Sequence, residues 1–475
     1  MKKSLKANPY FKAAILILCA VILLVFMNTT PPEGLEEVGW HLLGILIVML
    51  LLFISEVVPM IVVCFVLFVL MVVCKVDSIG NLCKSAATST LFFVLAGFGI
   101  GGALMNTNVS TIIFRGLWRM AKGDSKKLIS MVVFFAAIVS VFIADSAAQV
   151  VTIAVITAVI AALGNPEPGT SKLAGGLMLA VYVGAMTGGL ALPSSNPVNI
   201  TSMGLAETVS GVSMTYFQWC LFGVPVAILF TLFAAWVLPK YFKPEQLTDT
   251  QIANINQSFK NLPEKLQFKD IYFLVILFGM LICWILSNWV KSLNTTVVAL
   301  VGMLLYMLPF EKVQLLTAKE YTKNFTSSVV VVMLCLFPLA TCMKSSGLGE
   351  WLVNIVFGGA TNWSTLAVFV AAGLISFIIH FLIPSGSASA SLVTTILGPI
   401  MISAGIPIGA AIFCITVQTS VMFLLPIEGA CQHTFGRGYY TFNDFLKGTL
   451  PLAIFSLAVS CLLTPLLASI FSGLL

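Results

Sequence analysis

Charged side chains are scarce in this sequence: Asp, Glu, Lys and Arg make up 9% of its 475 residues, whereas an average globular domain carries about 25%. Hydrophobic residues make up 59%, and the mean hydropathy is +1.06. A soluble protein of this length cannot bury that much apolar surface, so the sequence predicts a polytopic protein embedded in the lipid bilayer. The net charge of +6 is small, and the lysines lie in short polar connections, which argues against a nucleic-acid-binding surface.

Patterns typical of metal centres and hydrolases are also missing. The 11 cysteines include no CxxC pair, and the three histidines, His41, His380 and His433, are far apart. These features argue against a zinc cluster and against a disulfide framework. The motifs GxSxG, HExxH and GxGD do not occur, and a channel would require a ring of identical elements. We therefore expect neither an enzyme nor a channel, and no cofactor.

Long apolar runs account for most of the chain. A helix needs about 17 to 25 apolar residues to cross a bilayer. The first run, up to Phe26, has no small-residue cleavage site, so we expect it to be a retained helix rather than a signal peptide. Nine segments are candidates for single spans: 13–30, 38–55, 58–74, 172–192, 216–239, 270–289, 295–310, 408–425 and 450–473.

Two longer apolar segments are interrupted by polar residues. IADSAAQ interrupts 127–163, and IPSGSAS interrupts 365–402. Two further segments, 86–106 and 325–345, are apolar but contain Gly, Pro, Ser and Thr, which favours re-entrant hairpins. The predicted fold class is an all-α polytopic membrane protein with about 11 transmembrane helices, two re-entrant hairpins and two broken helices.

These features occur twice in the same order. In each half a hairpin segment precedes an interrupted helix, which precedes an apolar helix ending in Leu-Pro: GGLALPSSNPVNITSMG in one half and VMFLLPIEGACQHTFGRG in the other. MTYFQWCLFGVPVAI and YTFNDFLKGTLPLAI then follow. Matched interruptions are typical of secondary transporters built from repeats, and an odd number of crossings per unit makes the repeats inverted.

Each interruption creates a helix N-terminus at membrane depth. Irregular backbone at this depth must line a cavity rather than lipid, and a helix N-terminus carries free N–H groups and about half a positive charge. Ser146 in the first break and Ser385, Ser387 and Ser389 in the second add hydroxyl donors, and unwound carbonyls suit a small hard cation. The breaks predict a site for an anion with its cation. Structural kinks filled by packing are the alternative, which two matched breaks disfavour.

Two carboxylates accompany these elements. Asp145 lies inside the first break, and Glu428 follows the Leu-Pro of the second half. Because an ionised acid at membrane depth costs about 2.5–3.5 kcal/mol, we expect each to have a partner or a proton and a role in function. A structural hydrogen bond is the alternative. Glu56, in SEVVP, is expected near an interface with a structural role.

Three basic side chains have more ordinary interpretations. His380, one turn before the second break, is expected to pack in the interior rather than to relay protons. Lys344 and Arg437 are expected to face water, with a place in the cavity as the alternative. The basic N-terminus predicts an inside start, but the basic loop RMAKGDSKK, three spans later, requires the same side, so the orientation stays open.

The chain resembles the divalent anion:sodium symporter family of sulfate, dicarboxylate and citrate carriers over nearly its whole length. FISEVVPMIVVCFVL, KSSGLGEW and YYTFNDFLKGTLPL are similar to family segments. The family's Ser-Asn-Thr triplets correspond to ADS at 144–146 and SGS at 385–387, and its Thr-Pro-Pro-Asn loops to NPVN at 196–199 and GACQ at 429–432. A sister group in the wider ion transporter superfamily, with similar Pro-Ser-Gly-Ser loops, is the alternative.

The resemblance implies a homodimer in the plasma membrane, with a bacterial inner membrane as the expected location. A transport domain with two hairpins, two broken helices and two loops would slide across a scaffold domain. The implied ranges are 1–82 and 208–318 for the scaffold, 83–207 (loop 193–204) and 319–449 (loop 426–438) for the transport domain, and 450–475 for a C-terminal transmembrane helix.

The resemblance also implies the residues of the site. The implied substrate contacts are Asp145, Ser146, Asn196, Asn199, Gly386 and Ser387. The implied binding residues for sodium, or for a proton in its place, are Ser140, Ala144, Asp145, Ser195, Asn196, Ser385, Gly386 and Glu428.

The sequence departs from the family at the two acids, because each implied cation site holds a carboxylate, Asp145 or Glu428, in place of a neutral residue. Two ionised acids would repel a dianion strongly at low dielectric. We therefore expect them to strengthen cation binding or to take protons. The predicted function is secondary transport of small organic or inorganic anions, with di- and tricarboxylates as the expected substrates, by symport or exchange. An amino-acid-like substrate whose ammonium binds Asp145 is the alternative.

Overall fold

The structure is a computed structural model. It describes residues 9–55, 57–260, 263–290, 292–309, 313–325, 327–357, 363–383, 385–426 and 428–474. The basic N-terminus, expected to start inside, and Glu56, expected near an interface, lie outside the described residues.

The described residues form helices and no β-strand, which confirms the all-α prediction. The first eleven helices are α1 (Pro9–Asn28), α2 (Glu37–Ser55), α3 (Met60–Val73), α4 (Ile79–Ala86), α5 (Ser89–Met105), α6 (Val109–Ala121), α7 (Ser125–Phe142), α8 (Asp145–Ala162), α9 (Lys172–Gly188), α10 (Pro197–Ser210) and α11 (Tyr216–Phe242).

The second part of the chain repeats much of this arrangement after three further helices, α12 to α14. Its helices are α12 (Asp249–Ser258), α13 (Phe268–Leu286), α14 (Thr295–Met307), α15 (Ala318–Asn324), α16 (Ser327–Ser345), α17 (Leu348–Phe357), α18 (Thr365–Leu382), α19 (Gly386–Ser403), α20 (Ile408–Ser420), α21 (Gly429–Phe435), α22 (Phe442–Ala458) and α23 (Thr464–Ile470).

Ten candidate spans among the described residues are long and apolar enough to cross a membrane, and an eleventh arises if α4 and α5, bent by 47°, form one span. This number confirms the prediction of about eleven. Helices α9 and α20 are shorter than predicted, with 17 and 13 residues. At 1.5 Å per residue, 13 residues cover about 20 Å of a hydrocarbon core about 30 Å thick. The chain therefore leaves α20 at membrane depth and continues as a loop.

The helices of the two halves follow the same order. Helices α4 to α11 of the first half correspond in turn to α15 to α22 of the second. In both series a short helix precedes a long apolar helix, and a broken helix precedes a buried short helix, a loop and a further helix. The structure thus shows the matched element order predicted from the sequence.

The segments expected to fold as re-entrant hairpins contain one helix each, α5 and α16. Gly99 in α5 serves helix packing instead of an internal turn. A Cβ atom at Gly99 would lie 2.5 Å from the Met303 side chain on α14, so the glycine allows these two helices to approach closely. The bend between α4 and α5 fits either a broken span or a re-entrant loop.

The core is built around α9 and α20. Of the 13 residues of α20, 12 are buried, and so are 16 of the 17 residues of α9. By contrast, Cys19 is the buried residue among those described in α1, which therefore lies at the periphery. The two central helices precede the two loops, so they hold the loops inside the protein.

Packing across the halves brings the two breaks together. Helix α10, after the first loop, packs along α19, the second half of the second broken helix. In the same way α21, after the second loop, packs on α8, the second half of the first broken helix. In each half, the helix that follows the loop thus packs on the broken helix of the other half.

We predict that Gly184→Ala lowers the melting temperature of the purified protein. Gly184 on α9 faces α7 so closely that a methyl group would collide with the backbone oxygen of Val133. Overpacking of this kind costs about 1–3 kcal/mol. The matched control is Gly116→Ala, because no described atom lies within 4 Å of a Cβ at exposed Gly116. If both variants melt at the wild-type temperature, the α7–α9 contact is looser than described.

Candidate functional site

A cavity of about 740 Å³ opens where the two breaks meet, within the range of about 300–1,000 Å³ that small-molecule sites occupy. Its walls come from both broken helices, from both loops, and from α2, α3, α5 and the α15–α16 junction. The predicted site residues that line it are Ala144, Asp145, Ser146, Asn196, Ser385, Gly386, Ser387 and Glu428.

The first break begins where α7 ends at Phe142. Ile143 has extended backbone angles (φ −139°, ψ 160°), and α8 starts at Asp145. The Asp145 carboxylate accepts hydrogen bonds from the backbone N–H of Ser146 (2.6 Å) and from the Asn196 side-chain amide (3.1 Å). Carboxylates favour helix N-termini because they accept such otherwise unpaired N–H groups. Asp145 therefore acts as the anion at its own helix N-terminus.

Asn196, in the first loop, forms hydrogen bonds with the first residue of α8 and with the start of α10. Its side-chain amide donates to Asp145, while its side-chain oxygen accepts from the backbone N–H of Val198 (2.9 Å), which caps α10. The Asn196 side chain therefore connects the Asp145 carboxylate directly to the start of α10.

Three further predicted site residues lie buried behind the cavity wall. The hydroxyl groups of Ser140 and Ser195 donate to the backbone oxygens of Ala185 (2.7 Å) and Val141 (2.6 Å). The amide of Asn199 donates to the backbone oxygen of Gly189 at 2.7 Å. The structure thus brings these residues next to the site, where they hold the first loop in place.

The Asn199 side-chain oxygen connects the first loop to the second half of the chain. It accepts a hydrogen bond from Ser420 at the end of α20, at 3.2 Å. The two central helices of the core are therefore linked at the depth where both end.

The second break runs from Ile383 to Ser385, with Pro384 outside the described residues. The Ser385 hydroxyl caps α19 by accepting from the backbone N–H of Ala388 at 3.4 Å. A side chain at Gly386 has no room, because a Cβ would lie 2.9 Å from the backbone oxygen of Thr419 and 3.1 Å from Oε1 of Glu428. The close approach of Glu428 therefore requires glycine at this position.

Glu428 is the counterpart of Asp145 at the second helix N-terminus. Its carboxylate faces the backbone N–H of Gly386, the first residue of α19. Its other oxygen, Oε2, is buried and has no hydrogen-bond partner among the described residues. Glu428 also interacts electrostatically with Asp145. The site thus contains two mutually repelling carboxylates, each at the N-terminus of a half-helix.

Two basic side chains in the cavity wall, Lys323 and His433, were not predicted from the sequence. Lys323 lies next to the second predicted hairpin segment, and His433 lies in the second predicted loop. The matched order of the two halves therefore placed both residues near the predicted site. A single sequence places them beside the site but does not show which way they face.

The other basic side chains lie elsewhere. Lys344 lies beside Gly211, since its Nζ would be 3.6 Å from a Cβ there. His380 is buried, and its Nδ1 lies 2.7 Å from the backbone oxygen of Gln418 on α20. Neither of them, nor Arg437, is among the described residues that line the cavity. The position of His380 agrees with a packing role.

Several known proteins are similar to this chain in sequence or in fold. An uncharacterized transporter of Schizosaccharomyces pombe is 22% identical over 97% of this chain, which spans 54% of that protein's length. The sodium-dependent dicarboxylate transporter SdcS of Staphylococcus saprophyticus is 21% identical over 98% of this chain and 94% of its own. The structure of Neisseria gonorrhoeae MtrF has a similar fold, with a TM-score of 0.59 and 13% identity over 95% of this chain and 94% of MtrF.

A family model described as the sodium:sulfate symporter transmembrane region matches residues 11–471. This match covers both breaks, both loops and the cavity between them. It confirms the resemblance to the divalent anion:sodium symporters. The chain belongs to the sodium:sulfate symporter family.

Proposed function

We propose that the protein is a secondary active transporter of small anions, with di- and tricarboxylates as the expected substrates. The observation that carries this proposal is the single cavity into which both helix breaks and both loops open. Related proteins support it, since SdcS is named as a sodium-dependent dicarboxylate transporter. We further propose that a homodimer in the plasma membrane, of bacterial inner-membrane type, carries it out.

The proposed movement is of the elevator type. Residues 83–207 and 319–449 would move as a transport domain, carrying the cavity past a scaffold of residues 1–82 and 208–318. The cross-packing of α10 on α19 and of α21 on α8 supports this division, because it joins the two halves of the transport domain into one body. The helices α2 and α3 line the cavity from outside this body.

The two carboxylates determine how an anion can bind. Asp145 accepts the backbone N–H of Ser146 at the N-terminus of α8, and Glu428 faces that of Gly386 at the N-terminus of α19. They are therefore tethered anions that occupy the positive helix ends a substrate would use. Two carboxylates and a dianion in one cavity would repel one another at low dielectric. Neutralisation of the acids, by bound sodium or by protons, is thus required before the substrate binds.

This competition is a coupling mechanism. If the anion binds tightly only when cations or protons are present, an empty site and a fully loaded site are favoured over a site that holds the anion alone. Differential affinity of this kind is what a linked equilibrium requires. The oxygen atoms of Asp145, Glu428 and the nearby carbonyls suit sodium, which like other hard cations prefers oxygen ligands.

We predict that proteoliposomes containing the protein exchange labelled succinate or citrate across the membrane. The measurement is counterflow of succinate, citrate, sulfate, phosphate and amino acids, with sodium and pH varied in turn. Exchange of a carboxylate or inorganic anion supports the proposal. Exchange of amino acids alone would support the alternative in which Asp145 binds an ammonium, and exchange of none of the panel would contradict the proposed function.

We also predict that Asp145→Asn and Glu428→Gln flatten the dependence of transport on the coupling ion. An amide mimics the neutralised acid, so uptake should then continue at low sodium or high pH. A lost charge interaction of about 1.4 kcal/mol corresponds to a tenfold shift in the half-maximal ion concentration. Initial rates of uptake across sodium and pH series measure this shift.

The matched control is Glu167→Gln, which removes an exposed carboxylate outside the cavity wall. It should keep the wild-type ion dependence. If the two cavity variants and the control all keep wild-type sodium and pH profiles, the acids do not couple ion binding to anion binding.

A further inference from the structure

The cavity is larger than a small dicarboxylate requires. Its volume of about 740 Å³ lies within the range of about 300–1,000 Å³ in which proteins enclose drug-sized ligands. Succinate is much smaller than such ligands, so a succinate bound at the breaks leaves most of this space to water. Close-packed protein interiors leave few voids larger than a water molecule. The chemistry of the walls therefore indicates what else the cavity can hold.

The wall beside the first break is formed by α5 and has little side-chain volume. A Cβ atom at Gly101 would lie 3.8 Å from the Ile143 side chain and 3.9 Å from that of Ala147, which places this glycine at the first break. Gly97, one helical turn earlier and about 6 Å along the axis, also lines the cavity. No described atom lies within 4 Å of a Cβ at Gly97. Open space therefore extends from the break along α5.

An aromatic pair lies beside this open space. Phe98 on α5 and Phe325 at the α15–α16 junction both line the cavity, and their ring centroids lie 5.6 Å apart in an edge-to-face arrangement. The Tyr321 hydroxyl on α15 donates to the backbone oxygen of Leu95 on α5 at 3.1 Å, which fixes the two segments relative to each other. Val329 on α16 packs in the same apolar cluster and also lines the cavity. An apolar group of a solute would meet a preformed apolar surface here.

Two further apolar side chains are exposed at the cavity. Met105 on α5 and Val150 on α8 line it, and they are 38% and 42% exposed. Removal of apolar surface from water favours binding in proportion to the area that is removed. The cavity thus combines a polar end at the two breaks with walls that favour an apolar group.

This apolar wall moves with the site in the proposed mechanism. Helix α5 lies in residues 83–207 and Phe325 lies in residues 319–449, so both belong to the proposed transport domain. The distance from the wall to the two breaks then stays the same as the cavity moves. An apolar group of the solute would keep these contacts throughout transport, whereas its contacts with α2 and α3 of the proposed scaffold would change.

We propose that the solute is an amphipathic anion: a di- or tricarboxylate whose charged groups bind at the two breaks and whose apolar substituent, about the size of a phenyl ring, packs beside Gly97, Phe98 and Phe325. This inference rests on the proposed transport function and narrows its substrate class. It makes the glycine and the aromatic pair specificity-determining residues, while the groups at the breaks bind the charge that all candidate substrates share.

The test compares succinate with methylsuccinate, propylsuccinate and benzylsuccinate as competitors of labelled anion in counterflow, at fixed pH and saturating sodium. Each methylene that becomes buried should tighten competition about fourfold. We expect benzylsuccinate to compete about tenfold better than succinate or more, and labelled benzylsuccinate to be exchanged across the membrane itself.

Two substitutions locate the apolar contact. Gly97→Leu fills the open space and also favours the helix, because glycine is a poor helix former. We expect it to abolish the advantage of benzylsuccinate and to leave the KM of succinate unchanged. Phe325→Ala should reduce the advantage, whereas Phe325→Leu, which keeps a large apolar side chain, should retain most of it.

Gly116→Leu is the matched control, because Gly116 also has open space around its Cβ position but is not among the lining residues. It should keep the wild-type preference. Melting temperatures establish that each variant folds, and the Phe325 variants decide if Gly97→Leu does not.

The competition series in the wild-type protein can overturn the proposal without any variant. Substituted succinates that compete no better than succinate contradict it, and so does benzylsuccinate that competes but is not exchanged. A folded Gly97→Leu protein that retains the wild-type preference contradicts the assigned place of the substituent. Exchange of none of these anions by the wild-type protein would instead refute the proposed function.

Discussion

The site depends on two helix N-termini that are held inside the protein, each with a carboxylate as its counter-charge. Asp145 accepts the backbone N–H of Ser146 in α8, and Glu428 faces the backbone N–H of Gly386 in α19. Backbone without a partner at membrane depth would cost several kcal/mol per group. The carboxylates therefore stabilise the breaks. In the proposed function they also set the condition for anion binding, because sodium ions or protons must neutralise them first.

The arrangement is possible because each loop contacts the broken helix of its own half, while the helix after that loop packs on the broken helix of the other half. Glu428 comes from the second loop and contacts Gly386 in its own half, while α21 after that loop packs on α8 of the other half. Asn196 from the first loop binds Asp145, and α10 after it packs on α19. The two broken helices are therefore joined by packing across the halves, which supports the proposal that they move together.

Much of this architecture could be predicted from the sequence, because lipid imposes simple rules. Apolar length marks the spans, and polar residues inside an apolar run mark a break, as at Asp145 and Gly386. Residues 144–146 and 385–387 at the two breaks line the cavity, as predicted, but Ser389 does not, since its hydroxyl donates to the backbone oxygen of Ser385. Ser140, Ser195 and Asn199 lie behind the cavity wall. A sequence shows that such residues are near a loop but not which way their side chains point.

Other features depend on packing that no single sequence reveals. The glycines of α5 suggested an internal turn, yet Gly99 serves the contact with Met303 on α14. Lys323 reads as a solvent-exposed lysine of a polar connection until the fold places its helix at the cavity. A sequence does not distinguish a glycine that allows two helices to pack closely from a glycine that allows a turn. It also does not distinguish a surface lysine from a lysine that lines a cavity.

The central claim is that solute anions and the two carboxylates compete for the same helix ends. The most direct test is the calorimetric titration of the purified protein with a transported anion, in buffers of different ionisation enthalpy and at several sodium concentrations. The account predicts that at least one sodium ion or proton is taken up for each anion bound. Anion binding of unchanged affinity with no cation uptake would contradict it.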